Sequence, residues 1–271
     1  MILASASPIG LALGAAAALA YAVPALGAQA LGSLAARRVL LLAWALHGLL
    51  LAWNLFVQSP RFGFAPALSI TVWLVLTAYV VESQLYPRLR ARWALAGFGT
   101  AAIVLALLFP GSHLPATTSP LLPLHWALGI AAYGLFAAAV AHGWLMTRAE
   151  KQMRQASASR TAEGGVPLLT LERLMFRFVG AGFVLLTLTM LAGAFFGEQL
   201  YGNDYGGWRW DHKRVFTLLS WLTFAALLVG RSWFGWRGRR AVRVLYAGAA
   251  LLLLGYVGSR FVIEVLLGRT V

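Results

Sequence analysis

The side chains best suited to chemistry in this sequence are its five histidines, since the chain contains no cysteine. Without thiols, a disulfide framework, a thiolate metal site and a covalent haem-attachment motif are excluded. No close HxH or HxxxH spacing favours zinc or copper, and no P-loop, Rossmann glycine pattern or G-x-S-x-G elbow occurs in a fitting context. The histidines therefore have to be judged one at a time, by where the chain places them.

His125 opens a hydrophobic segment, two residues after Pro123, a residue type that suits the first turn of a helix. On a helix, His125 shares one face with Gly129 and Ala132. This small pair leaves a shallow slot beneath the imidazole, which suits either helix packing or a flat ligand.

His47 lies near the middle of another hydrophobic segment, and Asn54 and Gln58 follow it at helical spacing. Polar residues at such depth in a membrane usually face the interior of a helix bundle and are often functional. The alternative is a histidine that only makes hydrogen bonds between helices.

The other three histidines lie outside these two positions. His113 falls in an uncharged loop, and His212 falls in the stretch YGNDYGGWRWDHKRVF, residues 201–216. His142 follows His125 by 17 residues on the same predicted helix, about 25 Å away at 1.5 Å per residue, so one iron cannot bind both. We interpret His142 as a polar group with satisfied hydrogen bonds near the inner surface.

The composition is that of a polytopic membrane protein. The chain has 271 residues, of which 61% are hydrophobic and 11% charged, whereas a soluble domain carries about 25% charged residues. The net charge is +14, but the Lys and Arg residues lie between apolar segments rather than on one face. This distribution argues against nucleic acid as a partner. Eight segments approach or exceed the roughly 20 residues that cross a bilayer: 8–31, 39–57, 66–85, 93–110, 122–146, 174–197, 214–231 and 241–263.

The sequence thus predicts an all-α fold, a polytopic transmembrane bundle of about eight helices that forms a single domain over 1–271. The first segment is read as a retained helix rather than a cleaved signal. A polar stretch over 147–173 predicts a cytoplasmic loop. Most Lys and Arg residues fall on alternate connections, at 37–38, 88–92, 148–177 and 231–243, so the positive-inside rule predicts both termini on the outer side.

Haem suits this arrangement, because it needs one or two axial histidines, an apolar and aromatic platform, and cations for its propionates. The predicted outer side offers these groups in His125, His113, His212, Trp208, Trp210, Arg61, Arg209, Lys213, Arg214 and Arg260. The tryptophans and tyrosines of 201–216 have a second interpretation, as an aromatic belt at the membrane surface.

Three segments of the sequence resemble the cytochrome c assembly family, the haem-handling integral membrane proteins of the CcsA, CcmC and HemX kind. They read LERLMFRFVGAGFVLLTLTMLAGAFFGEQ, GGWRWDHKRVFTLLSWLTFAALLVGR and GWRGRRAVRVLYAGAALLLLGYVGSRF. ALHGLLLAWNLF and LHWALGIAAYGLFAAAVAHGWL are similar to the family's histidine-bearing helices. The resemblance spans roughly 40 to 262, is most specific in the last third, and is closest to the small stand-alone eight-helix members.

The resemblance implies roles for particular residues. His125 matches the family's first external haem-ligating histidine and His47 its membrane-embedded histidine. The end of the tryptophan-rich haem platform is matched by Trp208, Trp210 and Asp211.

Characterised members of the family carry a second external histidine near the outer end of the last helix. This chain has Arg260 and no histidine in that region. Either His212 or His113 takes the second position, or the ligation differs. Arg260 could pair with a propionate or, one helical turn away, with Glu264.

The resemblance implies a protein of the bacterial inner membrane that holds b-type haem non-covalently and presents it at the outer face. The partner would be another membrane protein of cytochrome c maturation or an apocytochrome. Such a protein is a haem chaperone or a subunit rather than a stand-alone enzyme, so no catalytic residue is assigned. Two alternatives are a scaffold or regulatory subunit with a degenerate haem site, and a solute or ion transporter, although no inverted repeat supports transport.

Overall fold

The computed structural model describes residues 7–27, 32–56, 61–85, 92–113, 121–156, 167–197 and 211–267. Within these ranges the chain is all-α apart from one pair of two-residue strands, which confirms the predicted fold class. The helices are α1 (Pro8–Leu26), α2 (Ser33–Phe56), α3 (Phe64–Leu85), α4 (Arg92–Leu108), α5 (Leu121–Ala156), α6 (Leu168–Phe195), α7 (His212–Phe234) and α8 (Gly238–Leu253). Helix α8 continues through two π-helical segments, Leu254–Gly258 and Val262–Leu266.

Seven helices in the described part of the chain are long and apolar enough to cross a membrane. Helix α4 is the shorter one, since its 17 residues extend about 26 Å against a hydrocarbon core of about 30 Å. The chain is therefore a multi-pass membrane protein. The placement of both termini on the outer side stays a prediction.

The predicted cytoplasmic loop over 147–173 is too long, because helix occupies both of its ends. Helix α5 has 36 residues and continues to Ala156, and α6 already begins at Leu168. The extension of α5 is rich in good helix formers, and Arg154 donates to Glu150 one turn earlier at 2.6 Å. Loss of hydropathy marks where a helix leaves the bilayer, which need not be where it ends.

The chain forms two compact units, Met1–Pro115 with Arg260–Val271, and Ala116–Ser259. In the first unit α1 packs on α2 and α4, and α3 packs on α4. In the second unit α5 runs along α6, and α8 packs on both α7 and α5. The single domain over 1–271 remains a prediction.

A short antiparallel strand pair positions the loops of the first unit. β1 (Arg61–Phe62) pairs with β2 (Ser112–His113), with Arg61 opposite His113. Gly111, just before β2, has a φ of 78°, a conformation that glycine adopts without strain. A Cβ there would lie 2.5 Å from the Phe62 carbonyl oxygen, so no larger residue fits this turn.

Two stacked phenylalanines form the centre of the second unit. Phe136 of α5 and Phe224 of α7 lie parallel with ring centroids 3.8 Å apart. Gly182 of α6 packs against Phe136, and Gly248 of α8 packs against Phe224. Glycines let helix backbones approach aromatic rings closely, which brings all four helices of this unit together.

Candidate functional site

Two ion pairs show which helix ends meet in the second unit. Arg239, at the start of α8, contacts Glu150 near the end of α5 at 3.1 Å. Arg231, near the end of α7, contacts Glu172 near the start of α6 at 3.2 Å. The four helices are therefore antiparallel in sequence order, and these pairs define a basic end. The opposite end, where α5 and α7 begin, carries His125 and His212 and is called the histidine end below.

His125 lies in the groove between α5 and α6 at the histidine end. The side chain is half-buried, and its Nδ1 atom is buried. A Cβ on Gly193 of α6 would lie 3.5 Å from the His125 Cε1 atom. One turn deeper, a Cβ on Gly129 would lie 3.6 Å from Thr189. The imidazole thus faces a neighbouring helix that has no side chain at the point of contact.

An aromatic pair lies deeper in the same unit. Trp221 of α7 donates its indole N–H to the hydroxyl of Thr187 at 2.8 Å. Phe183 stacks on Trp221 with centroids 5.3 Å apart. Neither Trp221 nor Gly193 was singled out from the sequence, because the contacts of Trp221 with α6 and of Gly193 with His125 depend on how the helices pack.

Asp211 and His212 begin α7. The Asp211 carboxylate accepts the backbone N–H of Arg214 at 2.8 Å, so it caps the helix. His212 is the first helical residue and is exposed. The predicted platform residues Trp208 and Trp210 lie outside the described residues.

His47 is fully buried in the first unit, where three helices meet. Its Nε2 lies 2.8 Å from the hydroxyl of Ser69 on α3. Its Nδ1 lies 3.5 Å from the hydroxyl of Tyr21 on α1, whose ring meets the imidazole edge-on. This is the geometry of a histidine that joins α1, α2 and α3, and both ring nitrogens have a protein partner.

His113 also belongs to the first unit. Its exposed imidazole faces Arg61 across the strand pair, with the guanidinium Nη2 donating to Nε2 at 2.9 Å. An arginine only donates hydrogen bonds, so this ring nitrogen is the acceptor. An iron at Nε2 would have to displace the Arg61 contact.

Arg260 and Glu264 lie on the last segment of the first unit. The Nε of Arg260 is buried, and Phe261 beside it meets Phe64 edge-on at 5.4 Å. The Glu264 carboxylate packs on Gly63, where a Cβ would lie 2.8 and 2.9 Å from its two oxygens. A glycine at 63 is thus required to admit this carboxylate.

The predicted site residues are therefore divided between the two units. His125, Asp211 and His212 occupy the histidine end of the second unit, whereas His47, His113 and Arg260 belong to the first. His142, on the same helix as His125, is buried and places Nδ1 2.8 Å from the Ala138 carbonyl oxygen.

A cage for a free metal ion is not among the described residues, since none of their His, Asp and Glu side chains form a group of three that could hold one. A single half-buried imidazole beside a glycine is instead a donor set that fits iron already held by a porphyrin. Such an iron needs only one or two axial ligands from the protein.

Comparison with known proteins places these features in a family. The sequence model described as cytochrome C assembly protein matches residues 33–267. The inner membrane protein YpjD of Escherichia coli K12 is 32% identical over 168 residues, 61% of this chain and 61% of that protein.

Two cyanobacterial proteins named cytochrome c biogenesis protein CcsA also match. The one from Gloeobacter violaceus is 34% identical over 112 residues, 39% of this chain and 32% of that protein. The one from Trichormus variabilis is 37% identical over 89 residues, 33% of this chain and 24% of that protein. The matched segments thus span less than two thirds of the length of these relatives. No solved structure matches the chain.

Proposed function

The chain belongs to the cytochrome c assembly protein family, and from this premise we propose that it binds haem and presents it to a partner during cytochrome c maturation. The similarity to the inner membrane protein YpjD supports a location in the bacterial inner membrane. The similarity to two CcsA proteins named for cytochrome c biogenesis supports the pathway. The observation that carries the proposal is the placement of His125 against Gly193.

In the proposed site, the imidazole of His125 would bind the iron of a non-covalently held b-type haem. Gly193 and Gly129 place no side chain of their own between α5 and α6 beside the imidazole, where the edge of a flat ring would lie. Trp208 and Trp210, which precede α7 in the sequence, are the proposed aromatic contacts of the same ring. The haem bound here would be the group that a partner protein attaches covalently to its own thiols.

His212 would be the second ligand of the iron, since it lies at the same end of the same unit as His125. Asp211 fixes the start of α7 by capping it and so holds His212 in place. Lys213 and Arg214 follow in the first turn and provide positive charge for propionates. His113 is less suited, because its Nε2 accepts a hydrogen bond from Arg61.

His47 is assigned a different role in this proposal. Its two hydrogen bonds join three helices of the first unit, so an iron there would have to replace the contact with Ser69 or Tyr21. Because this chain has no cysteine, the covalent step of cytochrome c maturation belongs to a partner, a membrane protein of the pathway or an apocytochrome. The protein then acts as a haem carrier and not as an enzyme by itself.

A hemin titration of the detergent-purified protein tests the proposal. The wild-type chain is expected to develop a haem absorbance band. Loss of a group that only supports a metal ligand costs roughly 10- to 100-fold in affinity. Since His125 would be a ligand itself, His125→Gln is expected to weaken hemin binding by at least this factor. His142→Gln is the matched control, since it changes the other histidine of α5, about 25 Å away.

Two results would contradict the proposal. A folded wild-type protein that shows no band after hemin addition would favour a scaffold or regulatory role instead. Equal affinity in the wild type and in His125→Gln would place the iron at another residue.

A further inference from the structure

The turn between α7 and α8 holds a tryptophan rigidly against the helix before it. Gly235 and Gly238 have φ angles of 63° and 58°, so the chain reverses through left-handed conformations that glycine permits. The backbone N–H of Trp236 donates to the Gly230 carbonyl at 2.9 Å. The indole packs so closely on Gly230 that a Cβ there would clash with it. We call residues 233–240 the tryptophan–arginine turn.

This fixed indole in turn positions a guanidinium group. The Cζ atom of Arg240 lies 4.1 Å from the centre of the Trp236 ring, a cation–π contact. Arg240 and Arg237 are both exposed. A stacked guanidinium keeps its N–H donors free in its plane while the contact restricts its rotation, so less freedom is lost when an anion binds.

The carboxylates nearby are engaged by other cations. Glu150 contacts Arg154 and Arg239, and Glu172 contacts Arg231. The first turn of α8 contains no acidic residue. Within the described part of the chain, no ion pair includes Arg237, Arg240 or Arg243. The turn therefore presents positive charge that the carboxylates of the described residues do not pair with.

The position of the turn indicates the kind of anion. Trp233 and Phe234, at the end of a helix apolar enough to cross a membrane, are 80% and 71% exposed. Aromatic side chains at such a helix end occupy the interface between lipid tails and headgroups. The exposed arginines that follow are then level with lipid phosphates, which guanidinium groups bind with two parallel hydrogen bonds.

We propose that the tryptophan–arginine turn is a binding site for the headgroups of anionic phospholipids. Trp233 and Phe234 insert beside the acyl chains, and Arg237 and Arg240 bind the phosphate from the headgroup side. The proposal does not depend on haem binding, which concerns the opposite end of this unit.

Lipid retention tests the site. Protein in detergent is exposed to equimolar phosphatidylglycerol and phosphatidylcholine, and the lipids that stay bound are counted by native mass spectrometry. The wild type is expected to retain phosphatidylglycerol preferentially. The variant R237Q/R240Q is expected to bind it roughly 30-fold more weakly, at about 1 kcal/mol for each basic residue near an anionic lipid surface.

The matched control is K151Q/R173Q, which removes two exposed cations of the same basic end outside the turn and is expected to keep the preference. Arg240→Lys retains the charge and the fold but not the planar stacked donor set, and an intermediate loss is expected. Equal retention of the two lipids by the wild type would overturn the proposal. So would equal losses in the two double variants, or binding of a polyglutamate peptide in place of the lipid.

Discussion

The groove beside His125 depends on one missing side chain. A Cβ atom added to Gly193 would lie 3.5 Å from the His125 imidazole, which is an ordinary contact distance for a methyl group. An alanine there would fit, whereas a larger residue would occupy the groove itself. The site is therefore sensitive to the size of residue 193 more than to its polarity.

At this position we predict that Gly193→Leu reduces hemin affinity by about tenfold, because overpacking of this kind costs about 1–3 kcal/mol. Gly180→Leu is the control on the same helix, since a Cβ at Gly180 meets nothing within 4 Å. The measurement is a hemin titration of both variants. Unchanged affinity in Gly193→Leu would show that haem does not use this groove.

Sequence reasoning reached some of these residues and not others, for physical reasons. His125 was found because it is one of only five histidines in a sequence without cysteine and opens an apolar segment. Gly193 was not found, since its role comes from the packing of α6 on α5 and not from its own neighbours in sequence. The hydrogen bonds of His47 to Ser69 and Tyr21 were also beyond reach, although the alternative of an interhelical histidine was recognised.

Among elements, α1, α2 and α3 are joined by the buried hydrogen bonds of His47. The helices themselves are apolar on most faces, so van der Waals packing alone gives few unique orientations in lipid. A buried polar contact that must be satisfied selects one of them. This makes the His47–Ser69 bond a determinant of how the first unit packs.

Ser69→Ala should accordingly lower the free energy of unfolding by about 1 kcal/mol, the usual scale of an interhelical hydrogen bond in a membrane. Thermal unfolding in detergent measures this change. Ser232→Ala is the control, because the Ser232 hydroxyl is exposed and bonds only carbonyls of its own helix. An unaltered unfolding midpoint for Ser69→Ala would contradict this role. The hemin spectrum of Ser69→Ala should match that of the wild type, because this proposal places the haem at His125.

The helix boundaries could be predicted where hydropathy changes at the end of the helix. They could not be predicted where a helix continues into polar sequence. The apolar segments indicated all the helices in the described residues. The polar extension of α5 was missed, since surface charges there support helix through pairs such as Glu150–Arg154. The strand pair was also missed, because two residues in each strand leave no periodic pattern.

At the scale of the whole molecule, the second unit separates two kinds of chemistry. The basic end gathers the arginines around Glu150 and Glu172, and the histidine end carries His125 and His212. Since positive charge favours the cytoplasmic side, the histidine end should face the outside of the inner membrane. A partner in cytochrome c maturation would then receive the haem at the outer face of the membrane.

This orientation can be measured directly, because the chain has no cysteine of its own. We predict that a membrane-impermeant maleimide labels Leu121→Cys, an exposed position at the histidine end, in intact cells. Lys151→Cys, exposed at the basic end, should react only after the membrane is opened. The reverse labelling pattern would place the haem groove in the cytoplasm.

Rescue by free imidazole shows whether the imidazole of His125 binds the haem iron. Hemin absorbance is recorded for His125→Gly with and without added imidazole, beside the wild type. We expect a weak or absent band in the variant and its recovery when imidazole fills the vacated position. A variant with the wild-type spectrum before imidazole is added would contradict iron binding by His125.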